Sequence, residues 1–301
     1  MAATLSGAAT PAPRARELAP RRRRITWRRD AKGLVGAGLA AVIVLVAFSA
    51  PLLTDHDPTK ANIVARLTPP AWHAGGSWDH PLGTDNLGRD LWSRIAYGSR
   101  ISLAVGLVSV IVAGVGGVAL GVLAGYFGGP LDHVIMRLAD VQLAFPFLLL
   151  AIFVISVLEP NATNLIVVLA ISGWVIYARL ARAATLSLRE QDYVVAARVL
   201  GASAPRVLLR HILPNALPLV FVIVAYQVGQ MILAESALSF LGLGVPPPTP
   251  TWGNMVGEGR EYIDVAWWLI TFPGVALMLT VVGLGFLGDW LRDRIDPTLR
   301  N

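Results

Sequence analysis

Six long apolar runs, at residues 34–53, 101–127, 137–158, 164–179, 216–234 and 267–287, constrain this chain more than any other feature it has. About 20 residues of helix cross a hydrocarbon core of ~30 Å, and only the fourth run falls clearly short of that. Backbone groups in lipid must be satisfied within a helix or a closed barrel. Neither the length nor the patterning of these runs suits barrel strands, so each reads as a spanning helix. Composition agrees: 55% of the 301 residues are hydrophobic and 15% are charged, against about 25% charged in soluble domains. The chain has no cysteine, which excludes disulfides, thiolate catalysis and zinc–thiolate sites. The first run follows a basic stretch, Arg21 to Arg24, as a signal peptide does. It is longer than a typical apolar signal core of 7–15 residues and leads at once into Pro51, so an uncleaved first helix is expected.

Charge sets the expected orientation. Nineteen of the 25 Lys and Arg residues fall in the tail before residue 33, at Arg137, from Arg179 to Arg210, and from Arg292 onward. Six fall on the other side, five of them between the first two runs. The positive-inside rule then places both termini in the cytoplasm. The net charge of +6 is therefore a topology signal, with affinity for anionic headgroups and not for nucleic acid.

This divides the chain into a basic tail (1–32) expected to be disordered, a six-helix membrane domain (33–290) and a C-terminal cytoplasmic tail (291–301). Within the membrane domain the spacing predicts an outer loop at 54–100, a cytoplasmic loop at 182–214 and a proline-rich outer segment at 242–264. Ala113, Gly117, Gly121 and Gly125 put small residues on one face of the second span, where another helix can approach closely. Pro146 should bend the third span, and Arg137 and Asp140 near its cytoplasmic end should pair with each other or with neighbours.

The cytoplasmic loop carries the most information. Asp192 can cap a short helix and Gly201 can end it in a left-handed turn. Ser203 can cap a second helix with Pro205 in its first turn, and Pro214 should stop that helix before the fifth span. Ala196 and Ala197 leave the backbone of the first helix bare enough to seat in a partner's groove.

This stretch resembles the "EAA" loop of ABC-importer permeases: Ala196, Ala197, Gly201, Leu213 and Pro214 all fall in register. Val195 stands where the family has Glu, and His211 where it has Ile. Four further motifs resemble the dipeptide/oligopeptide/nickel branch and, within it, the second, "C"-type permease. They are His80-Pro81-Leu82-Gly83-Thr84-Asp85 with Gly88-Arg89-Asp90, Leu143-Ala144-Phe145-Pro146, Tyr177-Ala178-Arg179-Leu180, and the run from Glu235 to Gly244. The resemblance implies an all-α integral membrane protein with six transmembrane helices in the type I importer permease fold. It implies a second permease, two ABC ATPases that hold ATP and Mg, and an extracytoplasmic binding protein, in a bacterial or archaeal plasma membrane. Asp192, Tyr193, Val195, Ala196, Ala197, Arg198, Leu200, Gly201 and Pro214 would couple to the ATPases. Asp85, Gly88, Arg89, Asp90, Glu235 and Trp252 would form the outer gate or the docking surface for the binding protein. Di- and oligopeptides are the expected cargo, with nickel chelates, haem or glutathione as alternatives.

No catalytic role is expected. A P-loop needs a lysine after its glycines, and the only lysines, Lys32 and Lys60, lack that setting. His73, His80, His133 and His211 scatter across both sides of the membrane, which leaves no cluster for a metal. Nor is any cofactor expected on this chain. The competing reading, a stand-alone secondary transporter, calls for broken helices or ionisable residues near the midplane, and the deep spans carry almost no charge.

Overall fold

The structure, a computed structural model, describes residues 27–295; those residues form helices and loops, with one isolated bridge, Thr84–Asp90. The tail expected at 1–32 lies outside the described residues up to residue 26, and its last residues already belong to α1 (Trp27–Leu53). A helical turn at Ile63–Ala65 lies in the long loop that leads to α2 (Leu91–Phe127). Then follow α3 (Gly129–Ala144), α4 (Phe147–Leu158), α5 (Ala162–Leu188), α6 (Asp192–Val199) and α7 (Ala204–Val207). The chain continues through α8 (Leu213–Phe240), α9 (Trp252–Gly259) and α10 (Trp268–Ile295).

Five helical stretches are long and apolar enough to cross a membrane: Ala31–Leu53, α2, α5, Ala204–Phe240 and Trp268–Arg294. The third apolar run forms a bent pair, α3 and α4, which meet at 94° and make a sixth span if the pair counts as one. Pro146 brings no N–H to the break, and Phe145 before it is extended at φ −93, ψ 129, as a residue preceding proline prefers. The expected bend is therefore present, and much sharper than a kink.

Several helices outrun their apolar runs. The outer loop expected to reach residue 100 ends at Asp90, whose side chain accepts the Ser93 N–H and so caps α2. At 37 residues α2 is about 55 Å long, well beyond the hydrocarbon thickness. The loop expected at 182–214 is helical up to Leu188, and α10 takes in the first residues of the tail expected from 291.

Packing follows the small residues. Gly117, Gly121 and Gly125 on α2 lie against Trp174, Ala178 and Arg182 on α5, and a Cβ at Gly121 would stand 2.2 Å from the Ala178 carbonyl oxygen. The expected close helix approach is thus internal, α2 on α5. Gly36 on α1 meets Gly283 and Phe286 on α10, while Gly33 lies under the Trp290 ring. The start of α1 and the end of α10 therefore share one end of the bundle. Charges stitch the helices there: Asp140 accepts from Arg179 at 2.6 Å, Asp132 pairs with Arg182, and Arg189 Nη1 donates to the Gly125 carbonyl at 2.8 Å. Asp140 has thus found its neighbour on α5 and not Arg137 on its own helix.

Candidate functional site

At the bundle end shared by the C-termini of α2 and α5, α6 stands away from the spans. Val194 is its one buried side chain, and Arg198 donates to the Arg189 carbonyl at 2.7 Å. Its remaining apolar groups point outward: Tyr193 and Val195 are exposed, and Val199 and Leu200 are 81% and 87% exposed. Fully burying side chains of this kind contributes about 1.5–3 kcal/mol each, so this ridge is an apolar face left open to solvent. Ala196 lies exposed between them, which lets another backbone come close.

The ends of α6 are built as its sequence suggests in one case and not in the other. Gly201 has φ +83; its N–H bonds to the Arg198 carbonyl and the Ala202 N–H to the Ala197 carbonyl, both at 3.0 Å. That is a Schellman turn, as expected. Asp192 is not the cap; Gln191 holds that position, without a side-chain bond, and Asp192 sits in the first turn, where its charge suits the helix dipole. Ser203 precedes α7 but makes no capping bond.

Pro214 was expected to stop the second short helix. Instead, α7 runs into α8 through a π-helical turn, Leu208–Ile212, in which the Leu213 N–H reaches back to the Leu208 carbonyl. The wide turn lies just before Pro214, whose missing N–H falls in the first turn of α8, where it disrupts least. The short helix and the fifth span thus form one continuous helix, Ala204–Phe240.

The opposite end gathers all six residues expected to form an outer gate or docking surface, but it places them inside. Asp85, Gly88, Arg89, Asp90, Glu235 and Trp252 are all buried, so a docking partner would not meet their side chains. Asp85 Oδ2 accepts from Arg89 Nε at 2.6 Å and from Arg94 Nη1 at 2.7 Å. Glu258 Oε2 on α9 accepts from Nη2 of both arginines at 2.9 Å. The result is a closed ring of two guanidiniums and two carboxylates that ties the loop, α2 and α9 together. Gly88, at φ +72, lies so close to Asn62 that a Cβ would overlap its carbonyl oxygen.

Glu235 is fully buried near the end of α8 and accepts from Ser239 Oγ at 2.6 Å and Ser236 Oγ at 3.2 Å, with the hydroxyls of Ser102 and Thr251 also facing it. Trp252, 1% exposed, donates its Nε1–H to the Ile95 carbonyl at 3.1 Å. Both are framework residues that lock α9 onto α2 and α8. Sequence reasoning passed over Arg94 and Glu258 as members of the ring. An acidic residue 164 positions from its partner leaves no local signal. Nor does spacing announce that His56 and His80 come together with Asp90.

Between the two ends a groove of ≈ 450 Å³ opens among α3, α4, α5 and α8. Its polar groups are Ser172, Arg179, Gln227 and Gln230, on walls that include Leu143 and Phe147. A second groove, of ≈ 590 Å³ between α2 and α8, is apolar but for Tyr177.

Known proteins resemble this chain. The chain is 40% identical over 274 residues to a dipeptide transport system permease protein of Haemophilus influenzae, covering 91% of this chain and 93% of that one. It is 42% identical to a di/tripeptide transport system permease protein of Pseudomonas aeruginosa, covering 90% and 89%. A glutathione transport system permease protein of Pectobacterium atrosepticum is 41% identical, with 91% of both chains covered. Among solved structures, a chain of the MetNI methionine ABC transporter in an inward-facing conformation superposes with a TM-score of 0.55 at 20% identity, over 68% of this chain and 97% of that one; this likeness is one of fold. Residues 117–301, which contain the α6 ridge, the π-helical turn and the polar groove, match the family described as the binding-protein-dependent transport system inner membrane component. The chain is a multi-pass membrane protein and belongs to that family of ABC transport permeases.

Proposed function

We propose that the chain is one of two permeases in an ATP-driven importer of di- and oligopeptides in a bacterial plasma membrane. It contributes half of the pathway, and a homologous second permease contributes the other half. Two ATPase subunits bind ATP and Mg on the cytoplasmic side, and an extracytoplasmic protein delivers the peptide. The chain itself carries out no hydrolysis. The observation that carries this reading is the α6 ridge, a short helix with its apolar side chains turned away from the spans and held by one buried valine. A partner that moves α6 acts on α8 through the short turn at Gly201–Ser203, because α7 and α8 form one helix. The basic excess at this end supports a cytoplasmic placement of α6 and of both termini. Peptide cargo is supported by the dipeptide and di/tripeptide permeases among the relatives, and by a groove whose amides and hydroxyl suit peptide backbone and termini.

The test is a detergent pull-down of tagged chain from its native membrane, alongside the Val199→Asp/Leu200→Asp variant. Both side chains are exposed, so the fold should be unchanged. Wild type should bring down two ATPases and a second permease, and the variant should lose the ATPases alone, with peptide uptake lost in parallel. A wild-type chain that purifies alone and still carries solute in proteoliposomes would refute the reading.

A further inference from the structure

We propose that His56, His80 and Asp90 form a binding site for a divalent transition-metal ion of the zinc type, at the bundle end opposite α6. The three residues come from separate places. His56 lies three positions beyond the end of α1, His80 opens the segment that turns into α2, and Asp90 caps α2. One donor atom from each lies within 4.8 Å of the other two. His80 Nδ1 stands 3.0 Å from Asp90 Oδ1, and the His56 and His80 ring centroids are 4.7 Å apart at an interplanar angle of 48°.

The donor chemistry fits a borderline cation. Two imidazoles and a carboxylate, without sulfur, are a ligand set that zinc accepts, with a further position left to water. Donors that each sit ~2.0–2.1 Å from a tetrahedral ion are about 3.3–3.4 Å apart. The His80–Asp90 pair is already near that spacing. Only His56 has to close in, and it is exposed, so a rotamer change suffices.

The acidic ligand is held in place as metal carboxylates usually are. Asp90 is buried, and its Oδ2 accepts from both the N–H and the Oγ of Ser93 at 2.8 Å. That leaves Oδ1 as the coordinating oxygen. An ion at this point would fasten the chain leaving α1 to the start of α2. The inference does not depend on the proposed function; it stands or falls on the three side chains alone.

The experiment uses the full chain in nanodiscs, purified through a tag that contains no histidine, stripped with chelator and titrated with zinc chloride by calorimetry. Wild type should take up a single zinc ion. His56→Ala should weaken binding about tenfold or more, and Asp90→Asn should do the same, since asparagine still caps a helix. His73→Ala, in the same loop, should bind as wild type does. Zinc should also raise the melting temperature of wild type and leave that of His56→Ala unmoved. The site is refuted if wild type binds zinc no more tightly than His56→Ala, or if His73→Ala loses as much as His56→Ala.

Discussion

Gly201 offers a test of what holds the α6 ridge in place. Its φ of +83 lies in the left-handed region, and a Cβ built there meets nothing within 4 Å. Alanine would therefore suffer no clash, only the intrinsic penalty of about 1–2 kcal/mol for a side chain in that conformation. The penalty falls on two hydrogen bonds, Gly201 N–H to Arg198 and Ala202 N–H to Ala197, each 3.0 Å long. Since 1.4 kcal/mol is a factor of ten, Gly201→Ala should raise the local opening equilibrium by about 5–30-fold. Hydrogen–deuterium exchange in nanodiscs reads this as faster exchange in the peptide that spans Ala197–Ala202. Exchange in the α2 and α5 peptides and the melting temperature should hardly change. Asparagine tolerates the left-handed region better, so Gly201→Asn should lie between alanine and wild type. If alanine and asparagine speed exchange equally, or neither does, the backbone conformation is not what glycine supplies here.

Gly121→Ala and Gly116→Ala should move stability in opposite directions when followed by thermal unfolding in detergent. The first drives a methyl into the Ala178 carbonyl and should cost about 1–3 kcal/mol, whereas Gly116 has nothing within 4 Å, so its alanine should gain roughly 0.5–1 kcal/mol of helix propensity. Asp85→Ala leaves Arg89 and Arg94 buried with Glu258 alone; breaking a buried ion network this way costs about 3–5 kcal/mol, seen as a large fall in melting temperature. Glu235→Leu strands the hydroxyls of Ser236 and Ser239 at about 1–3 kcal/mol for each buried group left unpaired. It should lower the melting temperature while ATPase pull-down stays at the wild-type level.

The spans were legible because length and apolarity are written directly in the sequence, and Pro146 and the small-residue stripe announce their local effects. The ends of the helices were less legible, for a physical reason. Hydropathy stops where lipid stops, but a helix continues wherever protein covers it. Ser93, Arg94 and Ser99 are polar, buried and helical in α2, so the apolar run begins about ten residues after the helix does. The short helix α6 was legible by pattern, though not the exposed Val199 and Leu200 at its end, and Gly201 by the turn it had to make. The roles of Glu235, Trp252 and Asp85 were not, because whether a polar residue faces a partner or the interior depends on contacts far away in sequence. Arg94 and Glu258, and likewise His56 and Asp90, meet only once the fold is closed.

The π-helical turn at Leu208–Ile212 sets the phase of everything after it. One residue of α-helix is 100° of rotation, so the extra residue in that turn rotates the whole of α8 relative to α7 by about that angle. Gln227 and Gln230 line the polar groove, and Ile232 packs against Gly106 on α2, only at this setting. Were the turn rewound as ordinary α-helix with α7 held in place, both amides would swing out of the groove while α8 advanced only about 1.5 Å along its axis. Azimuth, far more than displacement, is the coordinate that this turn controls.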